Sequence, residues 1–392
     1  MLPREGILLP ETLSAQEGVT VNDIFKFTGD LSDSYHRKLF SDILKSYQEY
    51  ELKRFLGPRW QPRDQGVIVC PSCGGNSHKR KGFRTRVVKT SKGSFYFELA
   101  QVQCDTCGRT HRPFAEVLGV AMRRVLPELE EKAISLAVKL PFKASSDVLK
   151  ELGFFKLSPE GIRKLVNRKA TELKIEPPED VIHGIVDSTK VKAGTKSRGL
   201  AVQFAVAVKK GPEIHGRPAL RKNLLHLSVG DAAPLKAALE KIHLKYLVHD
   251  GELDLKGFAE KTQRCLWHMG HQLKHYLWQD GLPHQERGAF RAKLCGILYG
   301  SSYSARGAAI AYGKLISKLR GLGLNSSAGH LMLAKEEIFN YRKDSMLCFA
   351  TTSPLEREMR ELNRRADVGA RWSQQGIENL LKILFLKRFN QY

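Results

Sequence analysis

The pattern of apolar and polar positions predicts a strand-rich segment in the second half of the chain. Three β-prone runs come first, at 181–191, 200–208 and 223–229. A helical pattern follows near 233–242, and a short apolar run at 246–249 predicts a fourth strand. Strands that alternate with helices in this way predict an α/β domain.

The same pattern continues into a mostly helical segment. A short helix is predicted at 255–261, and a fifth strand at 264–267. From 270 to 341 the spacing is helical, with breaks at 280–283 and 321–325. The chain restarts as a helix at Ser353, and a final helix is predicted near 374–387.

Residues 126–175 predict three short helices before a proline-containing linker at 176–179. The first covers 129–140, and the second begins at Ser145 or Ser146. In the third, Ser158 is the expected N-cap and Pro159 the first helical residue. Its polar face carries Arg163, Lys164, Asn167 and Arg168. This order indicates a helix-turn-helix that reads DNA, although many small helical domains share it.

Two C-x-x-C pairs lie in a β-prone segment and predict a zinc ribbon. They are Cys70 with Cys73, and Cys104 with Cys107. Four thiolates from two glycine-relieved turns can surround a structural Zn²⁺ tetrahedrally. The chain has seven cysteines, and an odd number without a signal-like segment favours metal ligation over disulfides.

The charge favours a polyanionic partner. The chain carries 64 Lys and Arg against 41 Asp and Glu, a formal charge of +23, which points to nucleic acid. Between the cysteine pairs, a phosphate-binding surface is predicted from Lys79, Arg80, Lys81, Arg84 and Arg86. A solvated basic face is the alternative. Without a membrane-length apolar run or a signal-like segment, a cytoplasmic, nucleoid-associated protein is expected.

Three carboxylates stand at the ends of predicted elements: Asp187, Asp250 and Glu356. Strand ends deliver such groups to one edge of a sheet, and hard oxygen ligands suit Mg²⁺ or Mn²⁺ in a two-metal site for phosphoryl transfer. Each has another interpretation. Asp187 and Asp250 are also turn formers, Asp254 is a rival ligand, and Glu356 fits a capping box with Ser353.

Other side chains near these carboxylates have two interpretations each. Cys265, His268, His271 and His275 would share one face of a helix and could bind a metal, but a mixed set of buried and surface histidines is preferred. The arginines beside Glu356 predict a phosphate clamp, with a solvated helix face as the alternative. They are Arg357, Arg360, Arg364, Arg365 and Arg371.

Two motifs resemble those of DDE-type insertion-sequence transposases related to the Mutator-like group. Thr351-Thr352-Ser353-Pro354-Leu355-Glu356, with Asn363-Arg364-Arg365, is similar to the segment around that group's catalytic glutamate. Cys265-Leu266-Trp267-His268 is similar to its C-x-x-H element. The resemblance implies an RNase H-like fold in which Asp187, Asp250 and Glu356 bind the catalytic metals and His268 is an accessory catalytic residue.

These observations predict an α/β chain in four segments. They are a helical preamble (1–64), a zinc ribbon (65–115), a helix-turn-helix-like DNA-binding region (116–176) and an RNase H-like catalytic domain (177–392) with a helical insertion at about 270–345. The expected function is transposition: binding of element-end repeats in double-stranded DNA, then metal-dependent strand cleavage and transfer by a homodimer or higher oligomer. The alternatives are a regulator derived from an inactive transposase and a structure-specific nuclease.

Overall fold

The computed structural model describes residues 20–27, 33–56, 68–121, 124–152, 154–193, 199–214, 217–368 and 372–392. Contacts divide the chain into two compact units, Met1–Leu165 (unit 1) and Val166–Tyr392 (unit 2). The division falls inside a helix, ahead of the linker predicted at 176–179. Within the described residues, no helix is both long and apolar enough to cross a membrane.

Unit 1 is built on a long β-hairpin. Strand β1 (His78–Thr90) pairs antiparallel with β2 (Gly93–Cys104), and the short β3 (Thr110–His111) adds to the other edge of β2. Aromatic side chains of β2 pack edge to face on helix α2 (Asp33–Leu56): Phe95 and Phe97 lie 5.2 and 6.1 Å from Phe40.

The N-terminal helices share their core with this hairpin. Helix α1 (Val21–Phe27) and α2 contribute to one apolar cluster with β2. On α2, the Gln48 amide donates to the Glu98 carbonyl (2.8 Å) and accepts from the Ala100 N–H (2.8 Å). The described part of the predicted preamble is therefore packed on the cysteine-containing segment rather than standing apart from it.

Four helices follow the hairpin: α3 (Phe114–Val117), α4 (Pro127–Ala137), α5 (Phe142–Glu151) and α6 (Pro159–Glu172). The predicted cap of α6 is confirmed, because the Ser158 hydroxyl accepts from the Gly161 N–H at 3.1 Å. The predicted start of α5 was wrong. Pro141 occupies its N-cap position, and a proline suits a helix start because it has no N–H to satisfy.

Unit 2 contains a mixed five-stranded sheet. Its strands are β4 (His183–Val191), β5 (Leu200–Ile214), β6 (Arg217–Val229), β7 (Tyr246–His249) and β8 (Lys261–Arg264), in the order β6-β5-β4-β7-β8. Strands β4, β5 and β6 run antiparallel, whereas β7 and β8 lie parallel to β4. Helix α7 (Ala233–Glu240) connects β6 to β7.

The fifth strand lies three residues earlier than predicted, and 255–261 is not a helix. β8 must pair with the four residues of β7, from Tyr246 opposite Lys261 to His249 opposite Arg264. Cys265 is then the N-cap of the next helix. Gly257, with a φ of +86°, lies in the segment predicted as a helix and breaks that pattern.

The remaining helices are α8 (Leu266–Gln279), α9 (His284–Tyr299), α10 (Ala305–Gly321), α11 (Asn325–Ala334), α12 (Asn340–Lys343), α13 (Glu356–Ala366) and α14 (Gln374–Arg388). Both predicted helix breaks are confirmed, at 280–283 and 322–324. Helices α8 to α11 bury a core of their own, in which the Tyr312 hydroxyl donates to the Leu331 carbonyl at 2.8 Å.

Candidate functional site

The four cysteines of the two C-x-x-C pairs meet in one cluster in unit 1. The Sγ atoms of Cys70 and Cys107 are 3.7 Å apart, and those of Cys73 and Cys104 are 3.6 Å apart. All four sulfurs lie within 4.8 Å of one another. Tetrahedral Zn²⁺ with Zn–S bonds of about 2.3 Å requires sulfurs about 3.8 Å apart, so the cluster fits that ion.

Each cysteine pair sits in a tight turn of the same shape. The Gly74 N–H donates to the Cys70 carbonyl, and the Gly108 N–H donates to the Cys104 carbonyl, both at 2.9 Å. The two glycines have φ values of +72° and +70°, a conformation that other residues rarely adopt. The glycines after the second cysteine of each pair therefore allow both turns to close on one point.

The thiols perturb one another strongly. Backbone N–H groups of Cys107 and Thr106 lower the pKa of Cys104 to about 6. Although the Gly75 N–H opposes it, the neighbouring cysteines raise the pKa of Cys73 to about 12. Four thiols this close cannot all ionise unless a cation neutralises them, which is what a structural metal would do.

Sequence reasoning missed a histidine pair beside this cluster. The rings of His78 and His111 lie 4.9 Å apart in a T-shaped contact, and their nitrogens group with the Cys70 sulfur within 4.8 Å. Burial and the neighbouring His78 lower the pKa of His111. The two residues lie on β1 and β3, and only the pairing of both strands with β2 brings them together.

Two of the three predicted carboxylates meet at one edge of the unit 2 sheet. Asp187 lies in β4, and Asp250 follows β7, its parallel neighbour, with Val186 opposite His249. Asp187 is 8% exposed and Asp250 is 4% exposed. Ser188 links them, because its N–H donates to Asp187 Oδ1 and its hydroxyl to Asp250 Oδ2, both at 3.0 Å.

This pair lacks a cationic partner among the described residues. Burial raises the pKa of Asp187 to about 7, and the negative charge of Asp250 adds to the shift. No lysine or arginine that the structure describes forms an ion pair with either carboxylate. Buried carboxylates normally have a partner, so this edge of the sheet is suited to binding a cation.

Glu252 is a further carboxylate that sequence reasoning missed. Its Oε2 lies 3.0 Å from the Ser188 hydroxyl, and its N–H donates to Asp250 Oδ1 at 2.9 Å. Gly251, with a φ of +88°, turns the chain back toward the sheet. The rival Asp254 instead accepts from the Lys256 N–H at 3.3 Å and is exposed.

His268 and Thr352 also contact this group. The Thr352 hydroxyl is 3.5 Å from His268 Nδ1, and the Thr352 side chain acts to lower the pKa of Asp187 against the larger effect of burial. Burial lowers the pKa of His268, and the charges of Asp250 and Glu252 oppose that effect. The Thr352 N–H donates to the Cys265 sulfur at 3.3 Å, so both ends of the C-x-x-H motif fix the segment that leads to Glu356.

Glu356 is at the predicted helix start but outside the carboxylate pair. It is the first residue of α13, its side chain is 69% exposed, and Arg360 lies 3.8 Å away. Within the described residues, the carboxylate oxygens of Asp187, Asp250 and Glu356 do not all lie within 4.8 Å of one another. The capping box does not form either. The Ser353 hydroxyl accepts from Thr351 at 2.8 Å, and no side chain caps α13.

The Cys265 and histidine set does not converge on a metal. Cys265 is buried against Thr352, and His271 stacks on Trp267. Among the described residues, the only groups of three or more possible ligands within 4.8 Å are the four cysteines and Cys70 with His78 and His111. The preferred interpretation, a mixed set of buried and surface side chains, describes this arrangement.

The basic side chains of the hairpin differ in their surroundings. Arg80, Lys81 and Arg84 are exposed, and Lys79 pairs with Asp105 at 3.5 Å. The Arg86 guanidinium donates to the Val120 carbonyl and, at 3.0 Å, to that of Ala121. A cavity of about 400 Å³ lies beside it. Its lining carries no acidic residue and has five cationic side chains, Arg84, Arg86, Lys89, Arg112 and Arg124.

On α6, most of the predicted DNA-reading side chains have protein partners. Arg163 forms a two-pronged pair with Glu160, at 2.7 Å for both bonds, and Lys164 lies 3.8 Å from the same carboxylate. Asn167 accepts from the Asn379 amide of α14 at 3.1 Å. Arg168 lies 4.0 Å from Glu172. Arg163 and Lys164 are the members most exposed to solvent.

The arginines after Glu356 divide into surface and buried members. Arg364 is exposed and pairs with Glu361 at 2.9 Å. Arg365 is 1% exposed, lies 5.0 Å from the Trp372 ring centroid, and burial lowers its pKa to about 10. It therefore packs inside unit 2 and offers no surface to DNA in this structure. Arg371 lies outside the described residues.

In comparisons with known proteins, no protein-family profile and no curated protein sequence matches the chain.

Proposed function

We propose that the chain is a DNA transposase whose unit 2 is an RNase H-like domain that cleaves and joins DNA strands with Mg²⁺ or Mn²⁺. The observation that carries this proposal is the buried Asp187 and Asp250 pair, at the point where β4 continues past the carboxyl end of its parallel neighbour β7. Three antiparallel strands followed by two parallel ones, in the order β6-β5-β4-β7-β8, support the RNase H-like assignment.

Asp187 and Asp250 would hold the catalytic ions, and Glu252, which shares the Ser188 hydroxyl with Asp250, would supply an additional oxygen ligand. Bound divalent ions would lower the pKa of the attacking water or 3′-hydroxyl and stabilise the leaving oxygen. Ser188 fixes the carboxylates through its two hydrogen bonds. Thr352 connects Asp187 to His268, which is in reach of the same group as an accessory residue.

Glu356, the first residue of α13, would be the remaining carboxylate ligand of the catalytic ions. Helix α13 lies beside β4. The Thr189 hydroxyl donates to Asn363 at 3.2 Å and ties the middle of this helix to the strand. The neighbouring Glu358 is excluded from this role, because it is 4% exposed and pairs with Lys222 at 2.8 Å and Arg388 at 3.6 Å. An exposed carboxylate at the start of α13 is instead free to turn toward a bound ion.

Unit 1 would bind the element ends. The cysteine cluster would hold a structural Zn²⁺ and shape the hairpin, whose exposed Arg80, Lys81 and Arg84 would contact phosphates. The cavity beside Arg86 concentrates further positive charge in the same unit. Because two ends must be joined to a target, we propose that the protein acts as a homodimer or higher oligomer on double-stranded DNA.

The test is a strand-cleavage and strand-transfer assay. A labelled duplex that carries an inverted repeat from the gene's flanks is incubated with Mg²⁺ or Mn²⁺ and a target plasmid. We expect cleavage and joining by the wild type, and loss of both in Asp187→Asn and Glu356→Gln. Asp254→Asn, at an exposed carboxylate, and Glu361→Gln, at a half-buried carboxylate of α13 that pairs with Arg364, should retain both reactions.

Other outcomes would favour the alternatives. Tight binding of the repeat without metal-dependent cleavage, unchanged in the variants, would support a regulator derived from an inactive transposase, for which the separation of Glu356 from Asp187 and Asp250 is the favouring observation. Cleavage of branched DNA without joining would support a structure-specific nuclease.

A further inference from the structure

Helix α8 has an aromatic surface that its packing does not explain. Its apolar side packs into the core of unit 2 through Leu266, Met269, Leu273 and Leu277. Two tryptophans lie on the opposite side: Trp267 is 51% exposed and Trp278 is 57% exposed. Because the helix is anchored without them, these large apolar side chains are available to a ligand.

The exposed side of α8 forms one continuous aromatic face. It consists of Trp267, His271, Lys274, His275 and Trp278, all exposed. At 3.6 residues per turn these positions fall within an arc of about 100°, and they extend about 16 Å along the helix. We refer to these five residues as the α8 aromatic face.

The rings on this face are already arranged as flat surfaces. Trp267 and His271 stack with centroids 4.9 Å apart and planes inclined by 7°. Farther along, His275 and Trp278 lie 5.5 Å apart at 31°, and the Gln279 amide lies 3.1 Å from His275 Nε2. Because these rings support one another, a planar ligand could stack on them with little further ordering of the side chains.

Charge and position indicate which planar ligand would bind. Lys274 lies on the face, and α8 contains no acidic residue in a chain with a formal charge of +23. At the N-terminal end of this face, the ring centroids of Trp267 and His268 are 4.8 Å apart. Burial lowers the pKa of His268, and the nearby charges of Asp250 and Glu252 oppose that effect. If a polyanion that carries aromatic groups binds along this face, one end of it therefore lies next to the carboxylate site.

We propose that the α8 aromatic face binds unpaired nucleotides of the DNA strand that enters the carboxylate site. Base faces inside a duplex are already stacked on their neighbours, whereas unpaired bases can stack on protein rings. This inference builds on the proposed function, and it adds a binding site for the single-stranded segment next to the cleaved bond. Lys274 would contact the phosphates between the stacked bases.

The experiment measures binding without chemistry. Full-length, zinc-loaded protein in buffer without Mg²⁺ or Mn²⁺ is titrated into three fluorescein-labelled probes: a blunt duplex, the same duplex with a six-nucleotide 3′ overhang, and oligo-dT of 15 nucleotides. Stacking on one aromatic side chain is worth about 1–3 kcal/mol per base, or about 5- to 150-fold in affinity. We expect Trp267→Ala and Trp278→Ala each to weaken binding of the overhang and oligo-dT within that range.

Matched variants separate stacking from loss of structure. Trp267→Phe and Trp278→Phe keep an aromatic ring and should retain most of the affinity. Leu333→Ala removes another exposed apolar side chain of unit 2, which is 69% exposed on α11. This variant should bind all three probes with the wild-type affinity. Thermal unfolding of all variants within about 2 °C of the wild type would show that they remain folded.

Several results would overturn this inference. One is equal affinity of the alanine variants and the wild type for the overhang and oligo-dT. Another is a Trp267→Ala and Trp278→Ala double variant that binds DNA normally but loses self-association in light scattering, since the face would then contact a second copy. Because no cleavage is needed, ring-dependent binding would support this site even if the strand-transfer assay failed.

Discussion

The hydroxyl of Ser188 donates a 3.0 Å hydrogen bond to Asp250 Oδ2, while the backbone N–H of the same residue donates 3.0 Å to Asp187 Oδ1. One residue on β4 thus contacts both carboxylates, that of Asp187 in β4 and that of Asp250 directly after β7. The same hydroxyl oxygen lies 3.0 Å from Glu252 Oε2. Since a hydroxyl has one hydrogen to donate, the two carboxylates share it, and a cation would relieve the charge that remains.

The Asp187 carboxyl predicts an unusual pH dependence of stability in metal-free buffer. Burial and Asp250 raise its pKa from 3.8 to about 7, so the folded state binds a proton more tightly than the unfolded state. The free energy of unfolding should therefore decrease as the pH rises from about 4 to about 7, by up to about 4 kcal/mol from this group. Urea unfolding of the zinc-loaded protein at several pH values, in buffer without Mg²⁺ or Mn²⁺, measures it.

Asp187→Asn is the control for that effect. The variant should lose this part of the pH dependence and be more stable than the wild type at pH 8 without Mg²⁺ or Mn²⁺. Addition of Mg²⁺ at pH 8 should stabilise the wild type but not the variant. If the free energy of unfolding rises equally steeply in the wild type and in the variant between pH 4 and 7, the raised pKa of Asp187 is contradicted.

Glu252 and Asp254 should respond differently to neutralisation. Glu252 lies beside Ser188 and Asp250, whereas the Asp254 carboxylate accepts from the Lys256 N–H. Groups that support a metal site typically contribute about 10- to 100-fold to activity or metal affinity. We expect Glu252→Gln to reduce the metal-dependent cleavage rate by about that factor, while Asp254→Asn stays near the wild-type rate. Equal effects of the two substitutions would remove Glu252 from the site.

Glu358 should matter for stability rather than for metal binding. It is buried and pairs with Lys222, whose ammonium group also donates to the Pro354 carbonyl at 2.5 Å. Glu358→Gln leaves a buried ammonium group without its counter-charge, which typically costs about 3–5 kcal/mol. The free energy of unfolding should fall accordingly, with Mn²⁺ affinity per folded molecule unchanged. Loss of Mn²⁺ binding in a folded Glu358→Gln protein would show that Glu358, and not Glu356, is the metal ligand.

The cysteine cluster predicts one zinc ion per chain. Purified protein analysed by inductively coupled plasma mass spectrometry should contain about one equivalent, and Cys104→Ser should lose it. Because structural zinc contributes directly to folding, the variant should also expose the hairpin of unit 1 to proteolysis. Cys295→Ser and Cys348→Ser, which lie outside the cluster, are the controls. One equivalent of zinc in folded Cys104→Ser would contradict the assignment.

Local patterns were sufficient to predict several parts of the structure. The Ser158 cap, the strand that contains Asp187 and the helix that contains Glu356 each depend on a few consecutive residues, and the structure has all three, although the α-helix begins at Glu356 after a 3-10 turn at Ser353–Leu355 rather than at Ser353. The convergence of the four cysteines could be predicted because tight glycine turns constrain each pair. Propensity and spacing describe such features well, since the interactions that decide them are short-range.

Features that depend on tertiary contacts were missed. The fifth strand starts at Lys261 because its partner β7 has only four residues. Glu252 reaches Ser188 through the turn at Gly251, and Arg365 is covered by Trp372 although its neighbour Arg364 is exposed. In each case the sequence shows the residue type, but a distant partner decides whether it is buried, paired or available to a ligand.

The proposed function depends on binding of the catalytic divalent ion by Asp187 and Asp250. The most direct measurement is Mn²⁺ binding to the DNA-free protein by electron paramagnetic resonance at pH 8. The zinc-loaded wild type should bind Mn²⁺, Asp187→Asn and Asp250→Asn should each bind it at least about 10-fold more weakly, and Asp254→Asn should match the wild type. Undiminished Mn²⁺ binding in both Asp187→Asn and Asp250→Asn would contradict the assignment of these two residues as metal ligands.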